Sequence, residues 1–376
     1  MQRFWIALLL LVGLCAAPVR AADQATEKLL LKIKSVGPEG AGNPDAGTAW
    51  KELVAKGDSA FFPTLEAMAG ANPIAVNWLR TAAEAIFENA KTAKKPIAAE
   101  QLEAFVKNTK QAPIPRRVAY ELLVSIDTNA PERILPGFVD DPSVDMRRDA
   151  IAAAIEKATP LVKEKPEAAK EQFQKLFVAS RDLDQAELLA KKLKELKADA
   201  DLATHFGVIS KWHLIGPFDS TRGAGYGKSF DPEAKIDLKA TLEGKDGKVK
   251  WQEHTTTDNL GAVDLNKVLG KFKDSVAYAY TVVESDKERA VEIRLGCISA
   301  IKVFVNGKEV FAREEYHHGQ RFDQYLGLAT LKAGKNEILV KVCQNNQTEE
   351  WAQAWSFQLR ICDATGGAVP VKVASK

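Results

Sequence analysis

From residue 23 to about residue 203, apolar positions recur at intervals of three and four, the spacing of one buried helical face. Leu29, Leu30, Ile33 and Val36 mark one such face. Ile151, Ile155 and Ala158 mark another, and Leu188, Leu189, Leu193 and Leu196 a third. Ala, Leu, Glu and Lys, all good helix formers, dominate the stretch. Gly57, Pro73, Pro96, Pro113, Pro131, Pro142 and Pro166 interrupt it, which predicts helices of about ten to sixteen residues. After Asp201 the period changes to two. Val291, Ile293 and Leu295 alternate with Glu292 and Arg294, and Ile301, Val303 and Val305 with Lys302 and Phe304. These are half-buried strands. Asn306-Gly307 is a hairpin signal, because both central positions of a type I′ turn need positive φ. Lys211–Ile215, Val276–Val283, Lys308–Phe311, Arg321–Leu328, Ile338–Val342 and a run ending at Cys362 complete a set of short strands. Such a set argues for a β-sandwich or jelly roll.

The helical half carries a weak internal repeat. Arg80, Arg116 and Arg147 are each followed three residues later by Ala, at offsets of 36 and 31 residues. Each is preceded by a Pro-marked turn and an apolar helix: Phe61 to Met68, Ile97 to Val106 and Ile134 to Val139. The third unit, Asp141-Pro142-Ser143-Val144-Asp145-Met146-Arg147-Arg148-Asp149-Ala150-Ile151, resembles the second helix of a HEAT-type repeat. There the Asp-Pro starts the helix, the Arg lies along the repeat edge and the Ala permits close helix contact. The resemblance implies an α-solenoid over residues 22–204. Its helix pairs bury their apolar faces only by stacking on neighbours, and it offers either a protein-binding surface or a plain spacer.

In the strand-rich half, Ile301 to Val310 and the later Leu331-Lys332-Ala333-Gly334-Lys335-Asn336-Glu337-Ile338-Leu339-Val340 resemble the galactose-binding-like jelly roll. That family has a Val-Asn-Gly-Lys hairpin and a Leu-x-x-Gly-x-Asn turn entering a buried strand. Trp212-His213-Leu214-Ile215-Gly216-Pro217-Phe218-Asp219 is similar to the start of this domain in exported bacterial proteins, some of which pair it with HEAT-like helices. The resemblance implies a β-sandwich over residues 208–365, followed by a flexible tail at 366–376. The fold serves sugar-binding modules, adhesion domains and appendages of glycoside hydrolases alike, so it does not select a function.

The amino terminus changes the compartment. Arg3 is followed by Ile6 to Ala17, an apolar run of twelve residues, short of the ~20 a membrane helix needs. Val19-Arg20-Ala21 then offers small and medium residues at a cleavage site. A signal peptide over 1–21, cut after Ala21, is expected, with a periplasmic or extracellular product. No second apolar span follows. Lys and Arg total 52 against 50 Asp and Glu, and removing Arg3 and Arg20 leaves the charges equal. A neutral exported chain has no global field for nucleic acid, so Arg116-Arg117 and Arg147-Arg148 are read as repeat-edge charges. Export leaves Cys297, Cys343 and Cys362. If the runs ending at Cys343 and Cys362 form a hairpin, the two thiols could face each other as a disulfide in an oxidising compartment. Two reduced buried thiols are the alternative, since bridges between adjacent strands are geometrically demanding.

Candidate chemistry concentrates at Arg313–Gln324, between two strands. Tyr316, His317, Arg321, Asp323 and Gln324 supply the planar hydrogen-bonding groups and aromatic face that a sugar site uses. Gln344, Asn345, Asn346, Trp351 and Trp355 lie in or near a second loop that could converge on it; a well-solvated loop with Trp355 in the core is the alternative. Trp212 and Trp251 are read as core aromatics. His317-His318 lacks a third ligand at metal spacing, and no nucleophile elbow, phosphate loop or dinucleotide motif occurs. No catalytic residue, metal or cofactor is therefore assigned. A calcium site built on backbone carbonyls would leave no sequence trace. The leading expectation is an exported, non-enzymatic binding or scaffold protein that contacts carbohydrate or a protein partner. The alternatives are a carbohydrate-active hydrolase or its accessory subunit using carboxylates of the 313–324 loop, or a purely structural envelope component.

Overall fold

The computed structural model describes residues 23–373. The expected leader at 1–21 and its cleavage after Ala21 lie outside them, as do residues 374–376. The chain divides into two compact units after Ala150.

The first unit is helical. It holds α1 (Gln24–Lys34), α2 (Asn43–Ala55), α3 (Asp58–Glu66), α4 (Pro73–Thr92), α5 (Ala99–Lys107), α6 (Pro113–Ile126), α7 (Ala130–Ile134) and the start of α8 (Val144–Ala158). Local chemistry sets the ends. The Asp23 carboxylate accepts from Thr26 N at 2.6 Å, and Asn72 Oδ1 accepts from the Ile74 and Ala75 N–H groups. Each satisfies amide donors that a first helical turn leaves orphaned. Pro73 and Pro113 sit at first-turn positions, where no N–H is needed. The helices pack α1 on α2, α3 on α4 and α5 on α6.

The repeated Arg-x-x-Ala has a packing meaning here. Ala83, Ala119 and Ala150 are all buried. Arg116 is fully buried, donates Nε to Val106 O at 2.7 Å and forks onto both Asp141 oxygens at 2.8 and 2.7 Å. Arg147 is 5% exposed and donates Nε to Asp141 O at 2.8 Å. Arg80 departs from this pattern: it is half-exposed and bonds Glu84 and Glu121. Glu121 also accepts from Arg117, which reaches on to Asp149. Arg80, Glu121, Arg117 and Asp149 thus form one ladder across α4, α6 and α8.

The second unit begins inside α8 and holds α9 (Leu161–Glu164), α10 (Pro166–Ala179), α11 (Leu183–Glu195) and α12 (Leu202–Phe206) before the strands start. On α11, Leu189 and Leu193 are buried as expected, but Leu188 is 43% exposed. The strands and two short helices follow: β1 (Lys211–Asp219), α13 (Asp231–Ala234), β2 (Thr241–Glu243), β3 (Lys248–Lys250), β4 (Gln252–Thr255), β5 (Val263–Asp264), α14 (Leu265–Val268), β6 (Ser275–Ser285), β7 (Arg289–Cys297), β8 (Ile301–Val305), β9 (Lys308–Arg313), β10 (Tyr325–Leu331), β11 (Gly334–Gln344), β12 (Ser356–Cys362) and β13 (Val371–Val373). One antiparallel sheet runs β4-β1-β6-β11-β8-β9, and a second runs β10-β7-β12-β5. β2 and β3 pair as a small hairpin. β1 pairs with β6 only up to Tyr280, and β13 takes the same strand at Val283–Ser285. Part of the expected tail is therefore built into the sheet.

The two sheets share one hydrophobic cluster. Ile301, Val303 and Val305 of β8 and Val340 of β11 meet Ile293 and Leu295 of β7 and Phe357 of β12, and Trp212 and Trp355 are buried with them. Asn306 (φ 52°) and Gly307 (φ 77°) make the β8–β9 turn with the positive φ pair that a type I′ hairpin requires.

The other face of β6 and β11 is also buried. Residues 220–250 fold over it, bringing Tyr226, Phe230, Ile236, Leu238 and Leu242 onto Ile215, Tyr278 and Leu339. Trp251 packs there, half-buried. Lys341 is 1% exposed beneath this cover. Its Nζ donates to Tyr226 O, Lys228 O and Glu233 Oε1, at 3.3, 2.6 and 2.8 Å, which satisfies all three donors. Tyr278 Oη donates to the same Glu233 oxygen.

The expected Cys343–Cys362 hairpin does not form. β11 and β12 are consecutive strands of opposite sheets. Cys343 packs in the cluster beneath residues 220–250, away from the shared core, and Cys362 pairs in register with Glu292 in the other sheet. Facing sheets lie about 10 Å apart, beyond the reach of a bridge. Cys297, Cys343 and Cys362 are free and buried. Burial pushes the Cys297 and Cys343 thiols up to about 12 and Cys362 to about 11, leaving almost no thiolate at neutral pH. A chain begun at Ala22 should therefore show no reaction with a thiol reagent when native, and three reactive thiols in guanidinium. A native, reductant-sensitive loss of two thiols would contradict the separation of the two strands.

Candidate functional site

The polar–aromatic stretch after β9 and the loop between β11 and β12 meet through His317. Its backbone N–H donates to Ile298 O at 2.7 Å, fixing residue 317 at positive φ (58°). Its Nε2 lies 2.7 Å from Asn345 Oδ1. Asn345 Oδ1 also accepts from Gln347 N at 3.2 Å, while Asn345 Nδ2 donates to Gln347 Oε1 at 2.8 Å. The amide is thus oriented with oxygen toward the ring, so Nε2 donates to it. His317 Nδ1 and the neighbouring Tyr316 Oη are buried without a hydrogen-bond partner among the described residues. Burial raises the Tyr316 phenol above its ordinary pKa, with smaller contributions from Cys343, Glu314 and other neighbours.

Trp351 completes this group. Its ring centre lies 5.5 Å from that of His317, the planes at 85°, and the side chain is 60% exposed. A short 3₁₀ turn, Glu350–Ala352, carries it. Buried Gln344 holds both ends of the loop: its Oε1 accepts from Ser299 Oγ and Asn345 N, and its Nε2 donates to Ala352 O and Ala354 O. Lys273 Nζ donates to Ala352 O at 2.7 Å, and Gln353 Nε2 to Thr348 O and Glu349 O. The exposed indole is therefore presented on a loop tied down by side chains, and little conformational freedom remains to be lost on binding.

The other expected site residues are committed elsewhere. Gln324 Oε1 accepts from Cys297 N, and its Nε2 donates to Gly319 O at 2.8 Å and to His318 Nδ1 at 2.9 Å; it braces the loop from within. Asp323 accepts from Arg360 Nε at 2.7 Å, Arg360 Nη2 at 2.5 Å and Arg294 Nη1 at 3.0 Å. Arg360 packs against both Phe206 and Phe322, its guanidinium 5.3 and 5.0 Å from ring centres that themselves touch edge-on at 4.9 Å, and donates to Phe206 O and Gly366 O. Through it α12 is pinned to β12. Burial pushes the Asp323 carboxyl up, but the hydrogen bonds and charges of Arg360 and Arg294 outweigh this and hold it below its ordinary value. Arg321 is exposed, and its carbonyl oxygen occupies the space beside Gly296, where a Cβ would come within 2.2 Å of it. Asn346 is exposed beside the inward-turned Asn345.

A depression of about 150 Å³ lies over Arg294, Phe322, Asp323, Gln358 and Arg360. That space includes open solvent and leaves no room for an enclosed water molecule, far short of the ~300 Å³ lower end for small-molecule pockets. Among the described residues no group of three or more His, Cys, Asp and Glu side chains is arranged to hold a metal ion. None of the described helices is long and apolar enough to cross a membrane.

Comparison with protein-family models and with curated proteins gives no match. Among solved structures, a family 31 α-xylosidase from Xanthomonas citri aligns over 42% of this chain and 16% of its own, at 12% identity and a TM-score of 0.19. A β-glucosidase from Kluyveromyces marxianus in complex with glucose aligns over 75% of this chain and 35% of its own, at 10% identity and a TM-score of 0.26. An alkylpurine DNA glycosylase from Pseudomonas fluorescens, bound to DNA containing an abasic-site analogue, aligns over 93% and 95%, at 10% identity and a TM-score of 0.18. The chain thus spans well under half the length of the two glycosidases. At TM-scores this low the likeness assigns neither fold nor function.

Proposed function

We propose that this is an exported, non-enzymatic binding protein whose strand-rich part contacts carbohydrate through Trp351, His317 and Asn345. The observation that carries the reading is a 60% exposed indole on a loop tied by Gln344, Lys273 and Gln353. A sugar ring stacks its C–H face on such an indole, while neighbouring amides and imidazole meet its hydroxyls. In this reading the helices form a HEAT-like stack that offers a second, protein-facing surface. The strands form a galactose-binding-like jelly roll, and the leader directs the product to the periplasm or the exterior.

The hydrolase alternative needs one carboxyl kept protonated as general acid. Glu315 accepts from Arg313 at 2.9 Å, and that bond holds its carboxyl below the ordinary value. Asp323 is likewise held down by two guanidinium groups. Both are poised as anions, the opposite of what an acid catalyst requires.

Replacing Trp351 by Ala should weaken glycan binding on an array by about tenfold or more without changing Tm, since the ring is mostly exposed. Undiminished binding by Trp351→Ala would remove the support for this site.

A further inference from the structure

We propose that the Trp351 surface selects its glycan by charge, accepting neutral or amine-bearing sugars and rejecting sulfated or uronic ones. This deepens the carbohydrate reading and rests on it. Glu349 and Glu350 immediately precede the indole, and both are exposed. Glu314 and Asp274 lie close enough to the Tyr316 phenol to contribute to its raised pKa, after burial. Among the described residues none of these four carboxylates has a cation within ion-pair distance.

The nearby cations are turned away. Lys273 points its Nζ at Ala352 O, 2.7 Å away; burial lowers its pKa, and the Glu349 charge offsets this only in part. Arg313 is held on Glu315 at 2.9 Å. The hydrogen-bonding groups beside the ring, Asn345, Gln347 and the His317 imidazole, require no charge on a ligand. An anionic group placed over the indole would approach Glu349 and Glu350, which make no ion pair among the described residues, so like-charge repulsion opposes it. A protonated amine would meet the negative face of the indole with carboxylates alongside, which favours it.

The test is an array on which hexamers of glucose, galactose and mannose each appear in neutral, 2-amino and 6-O-sulfated form, probed at low salt with the full chain, Trp351→Ala and Glu349→Gln/Glu350→Gln. On any backbone that binds, the sulfated form should bind at least about tenfold more weakly than the neutral form, and the amino form at least as tightly. In the double Gln variant the neutral-to-sulfated ratio should fall below about threefold, and added salt should narrow it in the unaltered chain. Sulfated binding equal to neutral, yet lost in Trp351→Ala, overturns the charge selection and leaves the carbohydrate reading standing. Binding no stronger than that of Trp351→Ala on every spot overturns both.

Discussion

Replacing Arg116 by Met should destabilise the N-terminal helices by about 3 to 5 kcal/mol, while Arg117→Met, one residue away, should cost less than about 1 kcal/mol. The contrast follows from burial. Arg116 and Asp141 side chains are 0% and 2% exposed and make a two-pronged pair, with Arg116 Nε also closing the end of α5 at Val106 O. Removing the guanidinium leaves a carboxylate in the interior whose side chain keeps the Ser143 N–H in place of a bidentate cation. Arg117 sits in the half-exposed ladder with Glu121 and Asp149, at 30% and 36% exposure, where water replaces what is lost. Because the chain has two compact units, one denaturation midpoint would mix them. Hydrogen exchange of the full chain resolves them: protection should fall across α5 to α8 in Arg116→Met and stay near its original level in Arg117→Met. Equal losses would show that the buried pair is no stronger a tie than the exposed ladder.

Arg360→Met should cost the second unit about 3 kcal/mol or more, and Arg360→Met/Asp323→Asn should recover part of it. Arg360 is 1% exposed, packed against the touching rings of Phe206 and Phe322 and bonded to Asp323 through two nitrogens. The single variant leaves the Asp323 carboxylate with Arg294 alone, and the double variant removes that charge. The pH dependence carries a definite sign. Asp323 has a folded pKa below its unfolded value near 4, so its stabilisation is present above about pH 4 and fades as pH falls through the folded value. Without Arg360, burial pushes that pKa up and the loss begins at higher pH. Exchange of the β12 amides against pH, in the original chain and the single variant, measures this. A double variant less stable than the single one would show that Asp323 does more than answer Arg360.

The alternation of β7 and β8 and the Asn306-Gly307 turn were legible because their inner faces pack on one core and the turn needs one backbone geometry. β6 and β11 were harder to read. The continuous apolar run Val276–Val283 signals a strand buried on both faces, but the cover at residues 220–250 has sparse hydrophobics and no period. Lys341 in a strand reads as solvent-facing, and its partner Glu233 lies 108 residues away. Arg360 and Asp323 are separated by 37 residues and pair for the same reason. The Cys343–Cys362 hairpin was a natural inference from strand order, and it failed because β11 and β12 enter different sheets. The site was readable in part. Aromatic and amide residues marked both loops, and the structure joins His317, Asn345 and Trp351. Composition could not show that Asp323 and Gln324 serve the scaffold, because their partners are the buried Arg360 and backbone groups.

The most direct measurement is fluorine NMR of the chain labelled with 5-fluorotryptophan, with the Trp351 resonance assigned by Trp351→Phe and a glycan selected on the array added. The account predicts that the Trp351 signal shifts with saturation while those of Trp50, Trp78 and Trp251 stay in place. A ligand that moves Trp50, Trp78 or Trp251 and leaves Trp351 unchanged would contradict it.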